Sequence, residues 1–505
     1  MPSAFFGLDI ANTALSAAQT LMDVAGQNIA NDATPGYSQQ VASLVATPPY
    51  AQPDMGGLYT PQLGTGVEVQ SVNRVRANYL DGLFRTTQSS ESYYSTRSNY
   101  LQALQSVLNE PGSSGLSSTI NTFFSDYQTL SQNPQSSAAR TVVQQDGEAL
   151  AAQIQQIYQG LQNVGQQAQS QASQDVQTAN SDLQQLANLN TTIAQAQAIG
   201  QQPNDLLDQR DNLLDSLSKL VNIGFSTQTT TVGSNVTSQV TVTVPASGGG
   251  TVTLVSGGQY GSISLTPASS GPQFSLTATD ALTGAATPPP SLAPTGGSIG
   301  AAYQLVNQDL NPTPTSGTSL MSEFNSAVLG LANAINGVQM QGVYPVYTSG
   351  STTPSSWTSG PAFFVSSTNT TGTLTASDIP TIEVNPAIQN DITQITTATP
   401  TNETVGANAN AIAMADLGQS QSGSAQAYSA FVSDMGAAVD LSQNLQNTSQ
   451  SLLTQITSQR EQTAGVSINE QMTNLVEAQS MYTAAAKVAE AMDSSLQSLL
   501  SAIQP

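Results

Sequence analysis

Between Leu8 and Ile29 the apolar residues Leu8, Ala11, Leu15, Ala18, Met22, Ala25 and Ile29 follow one another in steps of 3,4,3,4,3,4. That spacing is a heptad seam, and it predicts an amphipathic helix packed against another helix. Ala at every second seam position lets the partner approach closely. Ile10, Ala14, Ala17, Leu21 and Val24 are apolar too, while Asn12, Thr13, Ser16, Gln19, Thr20, Asp23 and Gln27 gather mostly on one side. The apolar arc is wider than the ~100° stripe that a single core requires. A helix of this kind needs more than one neighbour.

The other end of the chain repeats the pattern. Ile468, Met472, Leu475, Gln479, Tyr482, Ala486, Ala489, Leu496 and Leu500 follow a 3/4 spacing, with Gln479 and Asp493 as polar interruptions. A polar residue inside a seam lowers stability but fixes register, so Gln479 is a candidate register residue or a water-facing one. Ser467 with Glu470 fits a capping box, and a helix from there to Leu500 would be about 50 Å long. The two ends are expected to pack together.

Inward from the ends, helices are predicted over 90–108, 148–199, 204–220, 299–310, 321–341 and from 408 onward. Pro111-Gly112 stops the first of them. Residues 227–265 alternate Thr/Ser/Gln with Val/Ile/Leu around Gly-rich turns, which predicts strands, and a second strand-like region spans 343–384. The expected fold is multidomain and mainly α. Residues 1–60 with 461–505 form a coiled-coil-like terminal domain. Residues 61–222 with 298–460 form a long-helix bundle holding a small β region near 343–385. Residues 223–297 form a β-rich outer insert.

Composition excludes whole classes of chemistry. The 505 residues include no Cys and no His, so there is no thiol nucleophile, disulfide, thiolate metal site or Ser-His-Asp triad. Nine Lys+Arg stand against 32 Asp+Glu, a net charge of −23, which argues against a nucleic-acid interface or a polybasic membrane patch. The first basic residue is Arg74, so the N-terminus lacks the positive region of a cleavable secretory signal, and export without cleavage is expected. Asp205, Asp208, Asp211 and Asp215 share a helix at i, i+3, i+6 and i+10. A straight helix does not wrap a hard cation, and Arg210 beside them predicts surface salt bridges instead, worth at most about 1 kcal/mol each. Trp357 lies in a Ser/Thr/Gly/Pro loop and is read as a packing anchor rather than a sugar contact. Gly248-Gly249-Gly250 reads as a loop between strands. No catalytic residue, cofactor site or metal site is expected.

The string NIANDATPGYSQQ at 28–40 resembles the N-terminal signature of the flagellar axial proteins, the rod, hook and hook-associated family, with Asn28, Asn31, Thr34, Pro35, Gly36 and Tyr37 as its motif residues. Pro35 disfavours helix before it and Gly36 permits positive φ, so the string ends the first helix, where Asn28 and Asn31 can cap freed backbone groups. The string GVSINEQMTNLVEAQSMYTAAAKV at 465–488 is similar to the family's closing helix, with Gln471 in place of the family's second acid. Tyr37-Ser38-Gln39-Gln40, with Gln39 departing from the usual Arg, and NDLLDQRD at 204–211 resemble the hook-associated protein 1 branch. The resemblance implies a non-enzymatic component of the bacterial flagellum, secreted through the flagellar type III system to the extracellular hook–filament junction. It also implies a ring of about eleven copies, with hook protein, the next hook-associated protein and an export chaperone as partners. Rival readings are another rod or hook protein, or an exported adhesin or carbohydrate-binding protein using the β insert.

Overall fold

The computed structural model describes residues 5–51, 62–112, 114–269, 271–284, 289–313, 318–419 and 424–503. The chain opens with α1 (Phe6–Ala30) and a hairpin of β1 (Gln40–Ala46) and β4 (Val67–Arg74), extended by β2 (Tyr50–Ala51) and β3 (Gln62–Leu63). Then come α2 (Asn78–Leu108), α3 (Leu116–Gln132), α4 (Ser137–Ala198) and α5 (Asn204–Leu220). Six strands follow: β5 (Gly224–Val232), β6 (Asn235–Pro245), β7 (Thr251–Ser256), β8 (Gln259–Tyr260), β9 (Ser262–Pro267) and β10 (Phe274–Thr279). α6 (Gly297–Gln304) runs into a π turn and is followed by α7 (Leu320–Gln341). β11 (Val343–Val346), β12 (Ser356–Ser359), β13 (Phe364–Ser366), β14 (Ile382–Val384) and the short α8 (Pro386–Asn390) complete the second β region. α9 (Ala409–Gln419), α10 (Ser424–Ala464) and α11 (Ile468–Ile503) close the chain.

α4 is the spine, with 62 residues and a length of roughly 93 Å at 1.5 Å per residue. Ser136 Oγ caps its start by accepting the Ala139 N–H at 3.2 Å. Its buried stripe (Leu150, Ile154, Ile157, Leu161, Val164, then Val176, Leu183, Leu186) belongs to one contiguous core. A Cβ at Gly165 would fall 2.8 Å from the Pro272 ring, so glycine lets the β region lie close against the helix. The 223–297 strands bury Val240, Val242, Leu254, Ile263 and Leu276 in that same core. They form an antiparallel sheet in the order β5-β6-β7-β8 and a β9–β10 hairpin, both resting on α4.

A recurrent device joins helices to strands and loops. Asn180 takes the N–H and C=O of Ile263 with its side-chain amide, both at 2.8 Å. Asn190 does the same with Val240, Asn307 with Phe274, Asn333 with Leu374 and Asn336 with Phe364. Each amide stands in for a neighbouring strand and satisfies a backbone pair that burial would otherwise leave unmade.

The helices differ from the sequence expectation at several places, the short α8 among them. α2 begins at Asn78 rather than 90, because the inward face of its first turns carries Asp81, Arg85 and Gln88 instead of apolar residues. α4 begins at Ser137 rather than 148, and α3 was not foreseen. The β1–β4 hairpin was also missed: its strands pair from Gln40↔Arg74 to Ala46↔Val67, with a bulge at Ser43/Leu44. Trp357 sits on β12 opposite Pro345 and packs against Val343, Ala398 and Ala407, as an anchor would. Among the described residues, no helix is long and apolar enough to cross a membrane.

Candidate functional site: the terminal helix pair and its anchor

α1 and α11 run antiparallel. Asn28 meets Gln471 at one end and Gly7 meets Met492 at the other, 21 residues away on each helix. On α1 the small seam residues Ala11, Ala18 and Ala25 are buried, and the large ones (Leu8, Leu15, Met22, Ile29) are half-buried. The hairpin covers a second side of α1, which accounts for buried Ala17 and for Thr13 lying against Gly66.

On α11 the buried positions are Gln471, Ala478 and Ala485, with Leu475, Ala486, Ala489 and Leu496 half-buried. Ile468, Met472, Gln479 and Tyr482 of the sequence-read seam lie exposed, and the Leu500 side chain is outside the described residues. The covered face is therefore turned from the one periodicity suggested. The buried amide on α11 is Gln471, not Gln479. Apolar residues lie on several sides of this helix, so spacing alone does not select the face.

The motif after α1 is a polar clip. Asn31 caps the helix, its N–H and its Nδ2 both donating to Gln27 O at 3.1 and 3.0 Å. Asn28 is fully buried and does something else. Its Oδ1 accepts from Gln40 N (2.9 Å) and the Tyr37 hydroxyl (2.8 Å), and its Nδ2 donates to Gln40 O (2.8 Å) and Gln471 Oε1 (2.9 Å). All four hydrogen-bonding positions of the amide are filled. One side chain thus ties the end of α1 to the start of β1 and to α11. Thr34 O accepts from Tyr37 N to close the turn, and Gly36 at φ +78° leaves room for Asn212, which a Cβ would strike at 1.8 Å. Burial and the nearby Asp205 and Asp208 push the Tyr37 phenol up to about 12, so it stays a donor.

Beside the clip lies an ionic anchor. Ser38 donates its N–H and its hydroxyl to the Asp208 carboxylate, at 3.1 and 2.7 Å. Arg74 reaches Asp208 and Asp211, both at 2.7 Å. Arg76 reaches Asp81 and Asp211 at 3.2 Å, and Arg85 reaches Asp211 (3.0 Å) and Asp215 (2.7 Å). Arg460, returning on α10, closes the set on Asp81 (2.8 Å) and Asp215 (2.7 Å). Arg85 and Arg460 also stack over Phe225 and Phe84, at 4.5 and 4.6 Å. With Arg210, five of the nine basic residues converge here.

The aspartate row on α5 is thus no surface feature. Asp208 and Asp211 are only 5% and 8% exposed, and their main partners come from far along the chain rather than from Arg210. Guanidinium groups occupy Asp208, Asp211 and Asp215, so these carboxylates are not free for a cation. The anchor sits where the chain leaves the terminal helices (Arg74, Arg76) and where it returns to them (Arg460).

Burial alone would raise the Asp211 pKa, but Arg74, Arg76, Arg85 and Arg210 outweigh it and hold it near about 2. Asp81 goes the other way, raised by burial against the pull of Arg76 and Arg460. For Asp211 the folded value lies below the unfolded one of about 3.9, so its stabilisation is complete above that pH and is lost as pH falls toward 2. The stability difference between wild type and Asp211→Asn should therefore shrink on acidification from pH 5 to pH 2. Urea-unfolding midpoints across that range measure it, and a constant difference would refute the assignment.

Comparison with known proteins decides the family. The model for the flagellar hook-associated protein FlgK helical domain matches residues 101–351, and that for the flagellar basal body rod FlgEFG protein C-terminal matches 457–502. The chain belongs to the FlgK family of flagellar hook-associated proteins. Flagellar hook-associated protein 1 of Bacillus subtilis is 40% identical over 227 residues, 45% of each chain. Its counterpart in Salmonella typhimurium is 29% identical over 335 residues, 66% of this chain and 56% of that protein. The chain spans about half the length of these curated relatives. The flagellar hook junction protein FlgK from Burkholderia pseudomallei has the same fold, with a TM-score of 0.58 at 16% identity, covering 76% of this chain and all of that one.

In FlgK-family terms the first match begins within α2 and ends beyond β11, and the second takes in the end of α10 and α11. The NDLLDQRD segment that suggested the hook-associated branch is the same segment that carries the anchor. The arginines opposite it stand singly along the chain and form no sequence motif.

Proposed function

We propose that this chain is a structural, non-enzymatic component of the extracellular flagellum, placed at the hook–filament junction and assembled through its terminal helices. Family membership supports the class. The observation that carries the assembly reading is the surface of α11. Val476 is 57% exposed, Ile468 and Met472 49% each, Val488 46%, Tyr482 41% and Met481 40%. α1 covers only a strip of α11, and apolar side chains flank that strip on both sides. More than one further helix is needed to bury them. Burial of these flanks then drives addition at the growing tip, and the terminal segments order fully only as neighbours arrive.

In this reading residues 1–60 with 461–505 form the axial core, residues 61–222 with 298–460 surround it, and 223–297 face outward. Partners are further copies in the ring, hook protein, the next hook-associated protein and an export chaperone. The chain leaves the cell through the flagellar type III channel. Deleting the gene should leave hooks intact without attached filaments, as seen by electron microscopy. Normal filaments in the deletion strain would overturn the proposal.

A further inference from the structure

α11 carries its one lysine and two of its glutamates, Glu470 and Glu477, on different sides. α1 and α11 together contain a single basic residue, Lys487. It is exposed, makes no ion pair among the described residues, and shares a shallow concavity with Val476 and Thr483. On another side of the same helix, Glu470 and Glu477 line a groove of about 240 Å³ whose other walls include Leu21 of α1, Val41 of β1 and Met481. Both glutamates are exposed and likewise without an ion pair among the described residues.

Gln471 gives this groove a built-in donor. Asn28 is oriented by the N–H and C=O of Gln40, so its Nδ2 must face Gln471, and Gln471 must answer with Oε1. Gln471 Nε2 is thereby left as the free end. Gln471 is only 2% exposed, lines the groove, and its Nε2 has no acceptor among the described residues. A buried donor in an acidic, partly apolar groove favours a polypeptide that brings an acceptor together with a cation.

Building on the axial-assembly reading, we propose that the groove between α1, β1 and α11 receives the Lys487-bearing side of a second copy of this chain. Lys487 pairs with Glu470 and Glu477, apolar residues such as Val476 cover Val41 and Met481, and the incoming copy supplies the acceptor for Gln471. Each copy offers its key to one neighbour and its groove to another, which makes the contact heterologous. It propagates into a ring or helix instead of closing as a two-fold dimer. The charge pair also sets the register, because like charges across the contact are strongly unfavourable.

The chain has no cysteine, which makes cross-linking clean. A chain carrying both Lys487→Cys and Glu477→Cys, treated on isolated flagella with a short bismaleimide, should give a ladder of dimers, trimers and higher multimers. Either single variant should give none. Dimers without higher multimers from the double variant would mean a reciprocal two-fold contact, dimers from a single variant would mean that like surfaces meet, and either would overturn the proposal. So would an uncross-linked double variant that is incorporated normally, or a cross-link to a different protein.

Charge reversal is a second arm. Lys487→Glu and Glu477→Lys should each lower the number of filaments per cell roughly tenfold or more, and the two together should restore it. Thermal melts of the purified chains check that each folds. Lack of restoration with normal melts counts against the contact alone, whereas normal filaments in the deletion strain would remove the junction reading itself.

Discussion

Asp211→Ala is expected to destabilise the protein by about 3–5 kcal/mol, the usual cost of removing one partner from a buried ion pair. Asp211 faces Arg74, Arg76 and Arg85 at 2.7, 3.2 and 3.0 Å, and its loss leaves three guanidinium groups sharing the remaining carboxylates in a poorly solvated site. Asp205→Ala is the matched control. Asp205 lies two turns earlier on the same helix, and its one side-chain hydrogen bond among the described residues is a long one, 3.4 Å to Gln40. It should shift stability by no more than about 0.5 kcal/mol. Urea-unfolding midpoints of the two variants give the comparison. The idea fails if both behave alike. The Asp211 variant should also be cleaved faster by trypsin near Arg74, Arg76 and Arg460, because those residues are held by the carboxylates they face.

The second large effect is expected at Asn28. Asn28→Leu raises helix propensity but strands the Gln40 N–H and C=O, the Tyr37 hydroxyl and Gln471 Oε1. A buried polar group left unmade costs about 1–3 kcal/mol. The groups share one site and partly relax together, so a total on the order of 3 kcal/mol is expected. Asn28→Asp is the sharper probe. Aspartate keeps the acceptor for Gln40 N and Tyr37 but sets an oxygen against the Gln40 carbonyl. Gln471 can turn to donate; the Gln40 carbonyl cannot. Both variants should raise amide exchange in 8–29 and 468–490 while leaving α4 protected, and both should abolish filament attachment. Equal exchange in wild type and variants would show that the clip does not couple the two ends.

These two sites mark where sequence reading worked and where it stopped. α5 and α7 lie within a residue of their expected bounds, because apolar spacing, acidic first turns and breakers all agree there. The 28–37 string was legible as a helix stop. That Asn28 is the hub of a four-bond clip was not, since Gln471 is 443 residues away. The aspartate row on α5 was legible as a row, but its setting was misjudged because its arginine partners lie on other elements. The first turns of α2 were missed for the same reason. Periodicity reports apolar faces, and a face buried through charge or amide pairing looks like solvent-exposed helix. The asparagines that dock strands onto α4 and α7 are hidden in the same way.

From one dimension alone follow the helical ends, the strand-rich middle, the absence of thiol and imidazole chemistry, and membership in an axial family. Each rests on local spacing or on residue types, which a chain carries whatever its partners. Only the folded molecule settles which side of α11 meets α1, which amide is buried, and which carboxylates are locked by guanidinium. Those outcomes depend on desolvation. Whether a charge or an amide is costly or stabilising is decided by the groups that surround it once water has been removed, and those groups come from the far end of the chain.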